Sequence, residues 1–179
     1  MLFSFCRYWM RYAVRCLPGS VFRRARVALW RAVGFRIHPS ANVMASAVLV
    51  CGDIEIGAET FVGEEVMLTG GEIRIGRNCD LAPRVIVHAG SHEIGGPQRR
   101  AGPCFAGRIT VGDGTWIGTG AILVAGADIG RSCVIAAGSV VIGKVPDNSL
   151  AAGVPAVVKR VLGEDESSVR PAGRAGDAS

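Results

Sequence analysis

The sequence predicts an all-β fold, a parallel β-helix in which short strands and corners alternate. Three observations predict it. Aliphatic residues recur every six positions, glycine is abundant at 25 residues, and aromatic residues make up only 6% of the 179-residue chain. The clearest run is Val111, Ile117, Leu123, Ile129, Ile135 and Val141. The same spacing appears upstream at Ile37, Val43 and Leu49, at Ile56, Val62 and Leu68, and at Ile75, Leu81 and Val87. A period of six fits neither the 3.6-residue helical repeat nor the alternation of a plain strand. It fits a short strand plus a corner, so three units close a triangular coil of about eighteen residues and coils stack strand on strand.

Each unit has its own internal logic. The residue after the aliphatic is often glycine (Gly57, Gly76, Gly112, Gly118, Gly130). A Cβ there is expected to clash where the corner backbone turns. The residue four after the aliphatic is small: Thr60, Cys79, Thr115, Ala121, Ala127, Cys133 and Ser139. It is expected to fill the inside of the next corner. Buried aliphatic ladders then supply the stability of a narrow prism. About six such coils fit between residues 37 and 145.

Ahead of the repeat, residues 1–36 read as a basic helical arm. Arg7, Arg11 and Arg15 share one helical face, while Leu2, Cys6, Trp9, Ala13 and Leu17 share another. An amphipathic helix is therefore expected over 2–16. Pro18-Gly19 breaks it, and Ser20 is placed to cap a second helix over 21–33. Residues 1–52 hold eight arginines and no acid; with a net charge of +5, the rest of the chain carries −3. Two readings fit the arm. It packs as a cap across the main domain with its arginines solvated, or it lies on an anionic membrane surface. Nucleic acid is not an expected partner, since no recognised motif accompanies the arginines and the remainder is slightly acidic.

No window of ~18 uncharged apolar residues is present, so no membrane-spanning helix is expected. Arginines interrupt what a secretory leader would need as an apolar core. The six cysteines, at 6, 16, 51, 79, 104 and 133, show neither a CxxC pair nor zinc spacing. Reduced thiols and a cytoplasmic location follow. The polar stretch 163–179 is expected to be disordered. The predicted organisation is thus an arm (1–36), a β-helix domain (37–162) and a tail (163–179).

The repeat stops at His92 and resumes near Ile109. Between them runs SHEIGGPQRRAGPCFAGR, rich in glycine and proline. An extended loop of about sixteen residues thrown out from a solenoid marks a functional segment. His92 opens it. An imidazole titrating near ~6.5 suits removal of a proton from a hydroxyl near neutral pH. The bland alternative is a solvated loop histidine. His88 is expected to face a corner, in a structural or acceptor-side role, and His38 to sit on the surface.

The segments TFVGEEVMLTG (60–70), VHAGSH (87–92), ITVGDGTWIG (109–118), IAAGSVV (135–141) and VPDNSLAAGVPA (145–156) resemble those of the hexapeptide-repeat acyltransferases. The likeness is greatest to bacterial exopolysaccharide O-acetyltransferases of the colanic-acid type and to the maltose and galactoside acetyltransferases. It implies a left-handed coil, acetyl-CoA as acyl donor, a sugar or glycan hydroxyl as acceptor, and no metal. It implies His92 as the base, and a homotrimer with each site between two prisms. Thr119 and Ala137 match cofactor contacts, with Gly120 and Gly138 beside them. Lys159 and Arg160 are candidates for the nucleotide phosphates. Glu64, Arg99, Arg100 and Trp116 are candidates on the substrate side. Val157 stands where a second family arginine is usual, and Gly63 and Gly70 replace family polar residues, which counts against simple galactoside or maltose acceptors. Four alternatives stand beside this reading. They are N-acetylation of an amino sugar, serine O-acetylation, a γ-type carbonic anhydrase with interface zinc on His88, His92 and a third histidine, and a non-catalytic scaffold. The arm adds possible peripheral contact at the inner membrane face.

Overall fold

The computed structural model describes residues 9–10, 12–17 and 21–163. Helix α1 (Arg23–Ala32) leads into the strands. The first coil contains β1 (Arg36–Ile37), β2 (Asn42–Val43) and β3 (Val48–Leu49). The second holds β4 (Asp53–Ile56), β5 (Phe61–Val62) and β6 (Met67–Thr69), and the third β7 (Glu72–Ile75), β8 (Asp80–Leu81) and β9 (Ile86–His88). A ribbon of β10 (Gly90–Ile94) and β11 (Ala101–Ala106) interrupts the series. The fourth coil follows with β12 (Arg108–Val111), β13 (Trp116–Ile117) and β14 (Ile122–Val124), then the fifth with β15 (Asp128–Ile129), β16 (Val134–Ile135) and β17 (Val140–Val141). A sixth begins with β18 (Lys144–Val145) and β19 (Ser149–Gly153), and β20 (Ala156–Val161) folds back antiparallel on β19.

Strands of successive coils pair in parallel and build three faces. The first runs β1-β4-β7-β12-β15-β18, the second β2-β5-β8-β13-β16-β19-β20, and the third β17-β14-β9-β6-β3. Each hexad aliphatic named above is at most 3% exposed. They stack in register, as in Val62 on Leu81, Leu81 on Ile117 and Ile117 on Ile135. The predicted β-helix is therefore present, with its core on the predicted residues.

The small residues sit inside the corners as expected. Thr60 Oγ1 donates to the Gly76 carbonyl and accepts the Cys79 N–H; Thr115 repeats this with Gly130 and Cys133. Buried hydroxyls are thereby satisfied. Cys79 and Cys133 are buried and reduced, and burial pushes both thiols above the usual range.

The glycine expectation needs one correction. The left-handed turn residue is not the glycine after the aliphatic but the residue three after it. Glu59, Glu65, Asn78, Arg84, Ser132 and Asn148 have φ between 53 and 64°, and Gly114, Gly120 and Gly138 have φ of 69°. The first glycine answers to stacking distance instead. A Cβ on Gly118 would lie 2.6 Å from the Ala137 nitrogen and 2.8 Å from the Ile135 oxygen, both in the next coil.

The inserted segment is not an irregular loop. Gly90 pairs with Ala106, Ser91 with Phe105 and His92 with Cys104, with a bulge between His92 and Ile94. Both its faces are largely solvent-exposed, so it shows no apolar alternation. β12 pairs directly with β7, Ile109 beside Ile73, so the excursion leaves the stack unbroken.

Helix α1 packs across the N-terminal end of the solenoid. Val27, Trp30 and Val33 are buried there with Val14, and Trp30 meets the edge of Phe35 at a centroid distance of 5.7 Å. Arg26, read as part of a solvated basic face, is 0% exposed. Its Nε donates to the Val43 carbonyl at 2.8 Å and its Nη1 to the Leu17 carbonyl at 2.7 Å. Burial pulls its pKa down from the usual value. The helix is preceded by Phe22, which makes no side-chain cap bond. Residues 9–10 and 12–15 are helical. Ser20, the rest of the helix expected over 2–16 and the tail from 164 lie outside the described residues. Among those described, no helix is long and apolar enough to cross a membrane.

The outer side of the first face is an ion-pair ladder. Arg36 pairs with Asp53 and Glu55, Arg74 with Asp53, Glu55 and Glu72, and Arg108 with Glu72. The hydrogen bond from Arg74, then that from Arg36, holds the Asp53 carboxyl below its ordinary range.

Candidate active site

His92 stands on the ribbon, at the prism edge between the third and first faces. Its Nδ1 lies 2.8 Å from the Gly102 carbonyl oxygen across the ribbon. A carbonyl only accepts, so Nδ1 carries the hydrogen and Nε2 keeps a free lone pair. Cys104, directly opposite, puts its sulfur 3.5 Å from Nδ1 and 3.7 Å from Nε2. A sulfur so nearly equidistant from both nitrogens cannot lie in the ring plane without striking Cε1. It sits over the ring face and braces it. Neither Gly102 nor Cys104 was singled out from sequence. Pairing the segment as a hairpin about its GGPQRR turn puts Pro103 opposite His92; the bulge between His92 and Ile94 shifts the register by one, to Cys104.

Arg99 and Arg100 occupy the exposed ribbon tip, where Arg100 donates to the Gly95 carbonyl at 3.3 Å. His88, at the end of β9, is nearer the ribbon base than expected: its ring atoms Cε1 and Nε2 lie 3.5 Å from where a Cβ on Gly90 would be. Beside that base a cleft of about 550 Å³ is lined by Gly52, Asp53, Gly71, Glu72, Ala106, Gly107 and Arg108. His38 is far from both, in the turn after β1, as a surface residue. Among the described residues no group of three histidine, cysteine, aspartate or glutamate side chains is close enough to hold a metal ion.

The other candidates gather at a second edge, between the second and third faces. Glu64, Pro83, Thr119 and Ala137 stack there coil on coil. The Arg84 N–H donates to the Glu64 carbonyl, the Gly120 N–H to Pro83 and the Gly138 N–H to Thr119, at 2.9, 3.1 and 2.9 Å. Thr119, Ala137 and Gly138 are exposed. Trp116 leads into this corner from the second face, 46% exposed, with Asp80 and Val134 beside it. Lys159 and Arg160 lie on β20, at the C-terminal end of that same face. The structure therefore brings Glu64 together with the Thr119, Gly120, Ala137 and Gly138 corners. It does not bring them to His92, which occupies a different edge of the same chain.

Residues 108–143 match the model of the bacterial transferase hexapeptide family, described as six repeats. The chain resembles the hexapeptide-repeat transferases, and this segment carries their repeat. Among curated relatives, the galactoside O-acetyltransferase of Escherichia coli K12 is 36% identical over 92 residues, covering 51% of this chain and 45% of that one. Among solved structures, a maltose O-acetyltransferase from Clostridium difficile 630 superposes with a TM-score of 0.73 at 27% identity, covering 91% of this chain and 89% of that one. A hexapeptide-repeat acetyltransferase from Vibrio cholerae, in complex with acetyl coenzyme A, gives a TM-score of 0.73 at 26% identity, covering 91% and 88%. This hexapeptide-repeat chain spans about half the length of the curated relatives it matches.

Proposed function

We propose that the chain is an acetyl-CoA-dependent O-acetyltransferase acting on a sugar hydroxyl in surface or exopolysaccharide assembly. The observation that supports this most is the bond from His92 to the Gly102 carbonyl, which leaves Nε2 as a fixed, exposed proton acceptor. Nε2 takes the hydroxyl proton as the sugar oxygen bonds to the thioester carbonyl carbon. The C–S bond breaks and the proton passes to the departing thiolate. No acyl-enzyme is required when both substrates are held together, and proximity supplies much of the acceleration. Backbone N–H groups are the candidates for polarising the carbonyl.

The donor reading rests on the second edge. Small residues at Thr119, Gly120, Ala137 and Gly138 leave room for a pantetheine arm, and Lys159 and Arg160 stand at its far end for phosphates. The solved relative that holds acetyl coenzyme A supports it. Arg99 and Arg100 suit an acidic sugar, and Glu64 and Trp116 are further substrate-side contacts.

We further propose a homotrimer. The outward residues of the third face form a continuous apolar column, Val48, Met67, Ile86, Ile122 and Val140, in register from coil to coil. Such a column is characteristic of a covered surface. The two edges bordering it carry His92 and the Thr119 corner, so copies packed on this face unite one chain's base with another's donor groove. Use of acetyl-CoA places the reaction on the cytoplasmic side. Exposed Trp9, Tyr12 and Phe22 at the arm suit peripheral contact with the membrane there.

The test is acetyl-CoA turnover against a panel of sugars with wild type and His92→Ala. Loss of about 10²–10⁴-fold in the variant is expected. Equal turnover in the two proteins would reject the assignment.

A further inference from the structure

We propose that the cleft between α1 and the first coil binds a phosphoryl group, as a phosphate ester or diphosphate. The cleft has a volume of about 410 Å³, and its lining includes Arg23, Arg24, Arg31, His38 and Ser40. It lies at the N-terminal end of the solenoid, away from both edges of the acetyl-transfer reading.

The helix supplies one wall. Positions 24 and 31 are seven apart and positions 23 and 27 four apart, so these side chains fall on neighbouring stripes above the turn after β1. Arg23 is anchored by a bond from Nη1 to the Ser40 carbonyl at 2.6 Å, which fixes its guanidinium at the rim. Arg24 and Arg31 make no ion pair among the described residues. Arg15, Arg99 and Arg100 likewise make none. Arg36, Arg74, Arg77, Arg84, Arg108 and Arg131 each face a carboxylate. Three arginines without a carboxylate partner therefore line this one cleft.

The turn supplies the other wall. His38 Nδ1 accepts the Ser40 N–H at 3.2 Å and lies 2.8 Å from the Ser40 hydroxyl. With Nδ1 accepting, the ring hydrogen resides on Nε2, and His38 is a donor. The Ser40 oxygen in turn accepts the Glu59 backbone N–H at 3.0 Å. Glu59 reaches the turn through its main chain, and no carboxylate lines the cleft. The neighbouring cleft, which shares Arg31 and His38, does contain Glu55, but that side chain is bonded to Arg36 and Arg74.

Three guanidinium groups and an imidazole N–H offer more donors than a single carboxylate accepts. A phosphoryl group has the oxygens and the charge to use them, and guanidinium forks match it geometrically. Two sources share this chemistry, a soluble phosphate ester and a phospholipid headgroup. The exposed Trp9 and Phe22 on the same arm fit the second.

The test uses the full chain, with inorganic pyrophosphate in calorimetry and co-sedimentation with vesicles of phosphatidylglycerol in phosphatidylcholine. The site variant is Arg24→Gln with Arg31→Gln, both exposed positions. The charge-matched control is Arg77→Gln with Arg131→Gln. Binding by wild type, weakened about tenfold or more in the site variant and kept within about twofold in the control, is expected. Capture by vesicles without pyrophosphate binding identifies the lipid source, and the reverse identifies the soluble one. If neither probe binds wild type, or site variant and control fall alike, the site is overturned.

Discussion

The Nδ1 of His92 is committed to the Gly102 carbonyl, and that one bond decides what the other nitrogen can do. Cys104 braces the ring without entering its plane. Cys104→Ala keeps the carbonyl bond, so turnover is expected to fall by less than about tenfold, well short of the loss for His92→Ala. Steady-state assays of the two variants side by side check this. Elsewhere, Gly118 has no room for a side chain, since its hydrogen faces the next coil's backbone. Gly118→Ala is expected to destabilise by roughly 1–3 kcal/mol, since backbone cannot step aside as a side chain can. Thermal melting measures it. At this scale the sequence revealed the inward aliphatics, because their spacing exposes them. It concealed the turn positions. Four residue types share the left-handed conformation at Glu59, Asn78, Arg84 and Ser132, so no glycine signal marked the site.

Among the elements, α1, the ribbon and the ion-pair ladder each do a different job. The helix closes the open end of the solenoid, and its buried Arg26 ties it to the carbonyls of Leu17 and Val43. Arg26→Ala removes both donors and opens a cavity, and is expected to cost about 2–4 kcal/mol in denaturant unfolding. The arm's basic pattern suggested a solvated face, and no sequence period distinguishes an arginine bonded to buried carbonyls from one in water. The ribbon was legible as an interruption but not as paired strands, since neither side is buried. The ladder makes stability depend on acid. Asp53 and Asp147 are held below the ordinary carboxylate range, Asp53 by Arg74 and Asp147 by the Arg131 N–H and side chain. A depressed folded value means the contribution is present above the unfolded pKa, near ~3.9, and is lost as pH falls through the folded value. Melting temperature is therefore expected to hold from neutrality down to about pH 5 and to decline below about pH 4. A decline setting in near pH 6 would point to histidine instead.

For the whole molecule, the decisive feature is that His92 and the Thr119 corner lie on different edges of one chain. The hexad period made the prism legible, yet it could not show which edge each corner joins, because every corner uses the same six-residue grammar. Only the strand order places His92 after the third face and Thr119 before it. Under the proposed function a complete site requires a second copy. The most direct measurement mixes two variants that are each inactive alone, His92→Ala and Ala137→Trp, the second filling the exposed donor corner. Denatured together and refolded at equal amounts, they should recover about a quarter of wild-type acetyl-CoA turnover, the share of interfaces that unite an intact histidine with an intact corner. No recovery, from mixed assemblies shown to have formed, would contradict a site shared between chains.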